Sequence, residues 1–216
     1  MKPPLRKLTL TAHITFSIGW LGAVAAFLAI SIAGLMSHDP DSVRGAYLSM
    51  DLISRFVIIP MCFAALATGL IEALGTPWGL FRYYWVALKF GLTILATLLL
   101  LMHQFKAIAR GAKYVKGATA SQLFALSFAP LKSELVQKSA LAIVLLLGIT
   151  ILGIYKPWGL TFYGRRVLHE RTNTPQPAKS NISSGAKAFV GAIALLVLLI
   201  LIFLHLTSHG FGRYAH

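Results

Sequence analysis

Five stretches of this chain are almost wholly apolar, separated by shorter polar segments. They run from Leu8 to Ser37, Phe56 to Ile71, Tyr83 to Phe105 with one break at Lys89, Ser139 to Tyr155, and Ala188 to Gly212. A bilayer core about 30 Å thick is crossed by a helix of about 20 apolar residues, so each run is long enough, or nearly so, to span it. Lipid supplies no partners for free backbone groups, and none of the runs alternates in the manner of a barrel strand, so helices are predicted throughout. The first run follows Lys2, Arg6 and Lys7 in the manner of a secretory signal. Its apolar part extends far past the roughly 7–15 residues of a signal core, which predicts an uncleaved span.

The segments between the runs predict the rest of the architecture. Ser37 to Asp51 contains His-Asp-Pro-Asp and reads as a turn-rich polar loop. After the third run, Lys106, Arg110 and Lys113 recur at helical spacing opposite Phe105, Ile108, Ala109 and Ala112. The third helix is therefore expected to continue as a basic amphipathic extension at the head-group zone. Gly117 and Pro130 end it, leaving Leu123, Phe124, Leu126 and Phe128 to dip into the interface. The expected fold is an all-α membrane protein with five transmembrane helices. Residues 1–169 form a four-helix bundle core that includes the basic connection 104–138. Residues 170–187 are a flexible linker, and 188–216 hold the fifth transmembrane helix and a short tail.

Composition narrows the class. With 57% hydrophobic and 12% charged residues in 216, no separate soluble domain fits beside the spans. The 20 Lys+Arg against 6 Asp+Glu flank apolar runs, so their expected partners are the lipid bilayer and its anionic head groups, with no nucleic acid. The single cysteine, Cys62, excludes an internal disulfide. Cations divide almost evenly between the two predicted faces. The N-terminus is read as inside, because Arg165 and Arg166 then face in while Asp39, Asp41 and Asp51 face out.

One motif repeats: Pro-Trp-Gly-Leu-x-x-Tyr stands at Pro77 to Tyr83 and again at Pro157 to Tyr163, after the second and fourth runs. Both copies must therefore lie on the same membrane face. Pro stops the helix, Gly turns the chain, and Trp and Tyr settle at the head-group level. Near that face lie Glu72 at the end of the second run, Lys89 about two turns into the third, and His13 in the first with Trp20 seven residues on along the same helix side. Ionisable groups inside a span need partners, and Glu72 and Lys89 are a candidate pair. The imidazole of His13 is the strongest single functional candidate.

The opposite face collects softer ligands: Met36, Met50, Met61 and Met102 with Cys62, His38, His103, His205 and His209. His205 and His209 have the i, i+4 spacing that sets two imidazoles on one helix side, and a copper or haem site is built from such parts. His103, His205, His209, Met102 and Met61 are the candidate metal ligands. The chain has no phosphate-binding glycine loop, H-E-x-x-H, Cys-x-x-Cys or recognisable nucleophile set, so the sequence names no reaction. Pro60 is the one point where a span is expected to break.

Gly75-Thr-Pro-Trp-Gly-Leu-Phe-Arg-Tyr-Tyr-Trp-Val86, with Tyr155-Lys-Pro-Trp-Gly159 later, resembles a group of uncharacterised bacterial integral membrane proteins across the first four runs. That resemblance implies a bacterial inner membrane. More distantly, His13 followed by Gly19-Trp20-Leu21-Gly22, and Trp85 with Lys89 opening an apolar run, resembles the haem-containing protoporphyrinogen oxidase type and the copper-resistance D type of membrane protein. The first resemblance implies haem b with functional roles for His13 and Lys89, and the second implies copper. This chain departs from the oxidase pattern in having Val86-Ala87-Leu88, without a histidine, between Trp85 and Lys89. A non-catalytic membrane scaffold is the third expectation.

Overall fold

A computed structural model describes residues 2–76, 79–124, 129–156 and 159–172, with backbone alone at 103–105, 129–130, 132 and 169–172. Among these residues the fold is all-α, with four helical runs long and apolar enough to cross a membrane. The expected linker beyond Thr172 and the fifth span lie outside the described residues.

The first run is a single helix, α1 (Pro3–Met36), started by prolines in its first turn and ended at Ser37, whose amide bonds back to Ala33. The expected loop from Ser37 to Asp51 is corrected: only Ser37 to Asp39 is non-helical, and α2 (Pro40–Ile53) begins at once. Asp39 caps it, accepting from the Ser42 amide at 2.8 Å and the Ser42 hydroxyl at 2.6 Å, and Pro40 pre-sets the first helical φ. Val43, Tyr47 and Met50, spaced four and three apart, form the buried stripe that gives this polar stretch a reason to be helical.

A π-turn at Ser54–Ile58 joins α2 to α3 (Ile59–Gly75) without a break. The wide turn absorbs Pro60, whose ring and missing N–H would strain a regular ladder, so the expected break is a bulge instead. The third run behaves alike: α4 (Tyr84–Leu99) continues through a π-turn at Leu100–Gln104 into α5 (Phe105–Gly117), as its basic periodicity predicted. A short α6 (Ala120–Leu123) and the long α7 (Ala129–Tyr155) follow. α7 begins ten residues before the expected run. α8 (Phe162–Thr172) takes up the first residues assigned to the linker.

Pro40–Gly75 has 36 residues and Tyr84–Gly117 has 34. At about 1.5 Å per residue these runs exceed 50 Å, about 20 Å more than a bilayer core, so one end must project or tilt. The projecting parts are α2 and α5, which pack on each other, with α5 also against α7 and α2 against α6. Ala107, Ile108, Ala112 and Val115 of α5 are buried, and so is Leu123. This corrects the expectation for the connection: its apolar side, Leu123 included, covers protein rather than dipping into lipid, and its cations remain outside. Phe124 is exposed, while Leu126 and Phe128 lie outside the described residues.

α1 lies against α3 and α7 and, towards its C-terminal end, against α2, while α4 lies against α3 and α7. A Cβ placed on Gly34 would stand 2.9 Å from that of Ala46, so α1 and α2 approach closely there. At the other end the repeated turns meet each other. Tyr83 and Leu160 form an antiparallel bridge, the Thr161 amide donates to the Arg82 carbonyl at 2.8 Å, and the Thr161 hydroxyl donates to the Phe81 carbonyl at 2.6 Å. The two motifs thus share one end, as the sequence required. Pro77, Trp78, Pro157 and Trp158 themselves lie outside the described residues.

Candidate functional site

His13 is three turns into α1, on the side facing α3. Its Nδ1 is 3.1 Å from the Ala65 carbonyl and 3.2 Å from the Thr68 hydroxyl oxygen. The Thr68 hydroxyl donates its own proton to the Ala64 carbonyl at 2.6 Å, and so it presents a lone pair to the ring. Both neighbours of Nδ1 are acceptors, and Nδ1 must therefore carry the proton. In the neutral ring this leaves Nε2 as the lone-pair atom.

Nε2 points at α4, where the Lys89 ammonium lies 3.5 Å away and donates toward it. Two glycines make room for these side chains. A Cβ on Gly69 of α3 would stand 3.0 Å from His13 Cε1, and one on Gly153 of α7 would stand 3.1 Å from Lys89 Nζ. The site therefore draws on α1, α3, α4 and α7 together, and each wall is cut away where a polar side chain must lie. Lys89's own carbonyl accepts from the Thr93 hydroxyl at 2.8 Å, which commits the nearest hydroxyl on its helix.

Four candidates for this end were read from the sequence, and they are not equivalent. His13 and Lys89 are brought into contact. Glu72 lies within electrostatic reach of Lys89 and of Arg6 but closes no ion pair with either among the described residues. Trp20 is buried in the main core beside Val24 and Phe27, two turns from His13, and its indole N–H has no partner among the described residues. Sequence reasoning missed Ala65, Thr68, Gly69 and Gly153. A Thr-Gly pair one turn before Glu72 was the only local signal, and Gly153 had none.

The opposite end is more dispersed. Met61 packs its sulfur near Gly19, Met50 is buried, and Met36 and Met102 are exposed. Cys62 is fully buried and donates to the Ile59 carbonyl at 3.1 Å. His103 falls in the second π-turn with backbone alone described, while His205 and His209 lie outside the described residues. Among the described residues no group of three His, Cys, Asp or Glu side chains could hold a metal. A separate polar centre stands here, where Glu134 pairs with Lys138 on α7 and Tyr47 lies over Gly111 of α5.

No protein-family model, curated protein or solved structure matches this chain.

Proposed function

We propose that this is a bacterial inner-membrane protein with five spans, a bundle of the first four and its N-terminus inside, that binds haem b or a related redox cofactor through His13. One observation carries the reading: the Ala65 carbonyl holds the Nδ1–H of His13, which turns the lone pair of Nε2 into the interior of four apolar helices. Histidines that ligate metals characteristically donate their other N–H to a carbonyl or carboxylate, which fixes the ring and raises its basicity. On that criterion His13 fits a nitrogen ligand to such a group. Lys89 stands in the direction a ligand of Nε2 would take, so loading requires the flexible lysine to swing aside or to serve as a second nitrogen donor. Iron held there by His13 would supply one-electron chemistry, tuned by the imidazole and by the apolar side chains around it.

The test is an absorption spectrum of gently purified protein from haem-replete cells. A Soret band that His13→Ala removes supports the assignment, and a colourless, haem-free wild-type preparation overturns it. Elemental analysis of the same sample addresses the copper alternative. Copper retained in His13→Ala, and reduced by His103→Ala or by loss of His205 and His209, would move the cofactor to the other end. A sample blank for both, with a partner protein co-purifying, would favour a scaffold.

A further inference from the structure

Lys89 carries three N–H donors on a charged group inside a span, yet its polar contact among the described residues is His13 Nε2 at 3.5 Å. That distance is beyond the range of a strong hydrogen bond, and a neutral imidazole contributes no charge. The chain has six acidic residues. Asp39, Asp41, Asp51 and Glu134 belong to the far end. Glu72 acts on Lys89 only through space, and the side chain of Glu170, on α8, lies outside the described residues. The stem and ammonium of Lys89 lie along the gap left by Gly153, whose Cβ would come within 3.1 Å of Nζ and 3.6 Å of Cδ and Cε. Among the described residues a lysine is thus seated beside Gly153 and directed at the site, with Glu72 near enough to act on it but closing no ion pair with it. Ion pairing is the usual way a cation at this depth is stabilised.

We propose that Lys89 anchors the carboxylate of an amphipathic ligand whose apolar body lies among the spans. A single lysine beside a neutral imidazole matches the single charge of a carboxylate better than the charge of about two on a phosphate monoester. Lys89 is five residues into α4, about 7.5 Å from its start, a depth the head group of a chain-bearing acid reaches without leaving the interface. Two sources share this chemistry: a propionate of the cofactor, which rests on the haem reading, and a free long-chain carboxylate, which does not.

The experiment uses the full chain in neutral detergent and pairs each acid with its uncharged analogue. One arm compares oleate with oleyl alcohol on protein from haem-deficient cells, and the other compares haem with its dimethyl ester. The wild type is expected to prefer the acid by about tenfold or more in at least one arm, the size of a charge-assisted hydrogen bond. Lys89→Met should abolish that preference and Lys89→Arg should retain most of it. Equal affinity for acid and neutral analogue in both arms overturns the proposal, as does a preference that survives Lys89→Met. If Lys89→Met does not fold, Lys89→Gln, which keeps a polar side chain but removes the charge, replaces it: loss of preference supports the proposal and unchanged preference overturns it. Absence of a Soret band would remove the haem reading alone, because the oleate arm is read without haem.

Discussion

At the level of single residues, the site depends on what is missing from its walls. Gly69 gives His13 its place, and a methyl group there would stand 3.0 Å from Cε1, closer than nearly all real contacts of a Cβ. Gly69→Ala should therefore displace the ring from the Ala65 carbonyl. We expect a cost of about 1–3 kcal/mol, typical of overpacking, seen as a lower Tm in detergent, together with loss or shift of any Soret band. Thr68→Val discriminates the hydroxyl from the space. It removes an acceptor at 3.2 Å while leaving the Ala65 carbonyl in place, so its cost should stay near about 1 kcal/mol and the band should persist. Equal effects from the two substitutions would show that neither the niche nor the tautomer is what holds His13.

Elements follow from local chemistry that differs between the spans and the projecting end. Asp39 caps α2 through its two bonds to Ser42, and those bonds hold its carboxyl below the ordinary aspartate value of 3.8. A lowered folded value means that the cap contributes above the unfolded value and is lost as pH falls through the folded one. Amide exchange at Ser42 and Val43 should thus accelerate only below about pH 4, after correction for intrinsic rates, and in Asp39→Ala it should be fast at neutral pH as well. At the same projecting end, Gly111→Ala on α5 would drive a methyl into the Tyr47 ring, whose Cδ1 and Cε1 lie 2.7 Å from the Cβ position. A rigid, buried ring cannot yield as a lysine tip can, so a loss of about 1–3 kcal/mol in unfolding stability is expected. The Asp39-Pro40 start and the Val43, Tyr47, Met50 spacing were present in the sequence, but polar composition outweighed them and the segment read as a loop. The spans were legible because lipid-length runs admit one solution. The π-turns were not, since no residue type specifies one and Pro60 alone signals only that regular geometry fails. The contact of His13 with Lys89 was legible only as a shared depth. Its partners on α3 and α7 depend on rotation of each helix about its own axis, which near-uniform apolar runs leave open.

For the whole molecule the decisive property is the difference between its ends. One end joins the N-terminus, the paired Pro-Trp-Gly-Leu turns and α8; the other carries the projecting α2 and α5. Counting cations alone leaves orientation nearly balanced, and the two ends differ in how their cations are arranged. At the projecting end Arg44 lies near Asp41, Arg55 bonds Asp51 at 2.9 Å, and Lys138 pairs with Glu134. Lys106, Lys113 and Lys116 climb α5, and their distance from the first to the last is about 15 Å along the axis. Cations spread along a projecting helix meet the anionic surface of the inner leaflet less well than Arg82, Lys156, Arg165 and Arg166, which cluster where the turns bring the spans together. This arrangement fits the inside N-terminus proposed above, and labelling tests it. Cys62 is the sole cysteine and is buried, so Cys62→Ser provides a silent background for single cysteines at exposed positions. Gly45→Cys and Lys113→Cys should react with a membrane-impermeant maleimide in intact cells, whereas Phe81→Cys and Arg166→Cys should react only after permeabilisation. The reverse pattern would invert the protein in its membrane and place the His13–Lys89 contact near the outer surface. Labelling of all four from one side would mean that these helices do not cross the bilayer, and the polar site between them would then have to be explained without lipid around it.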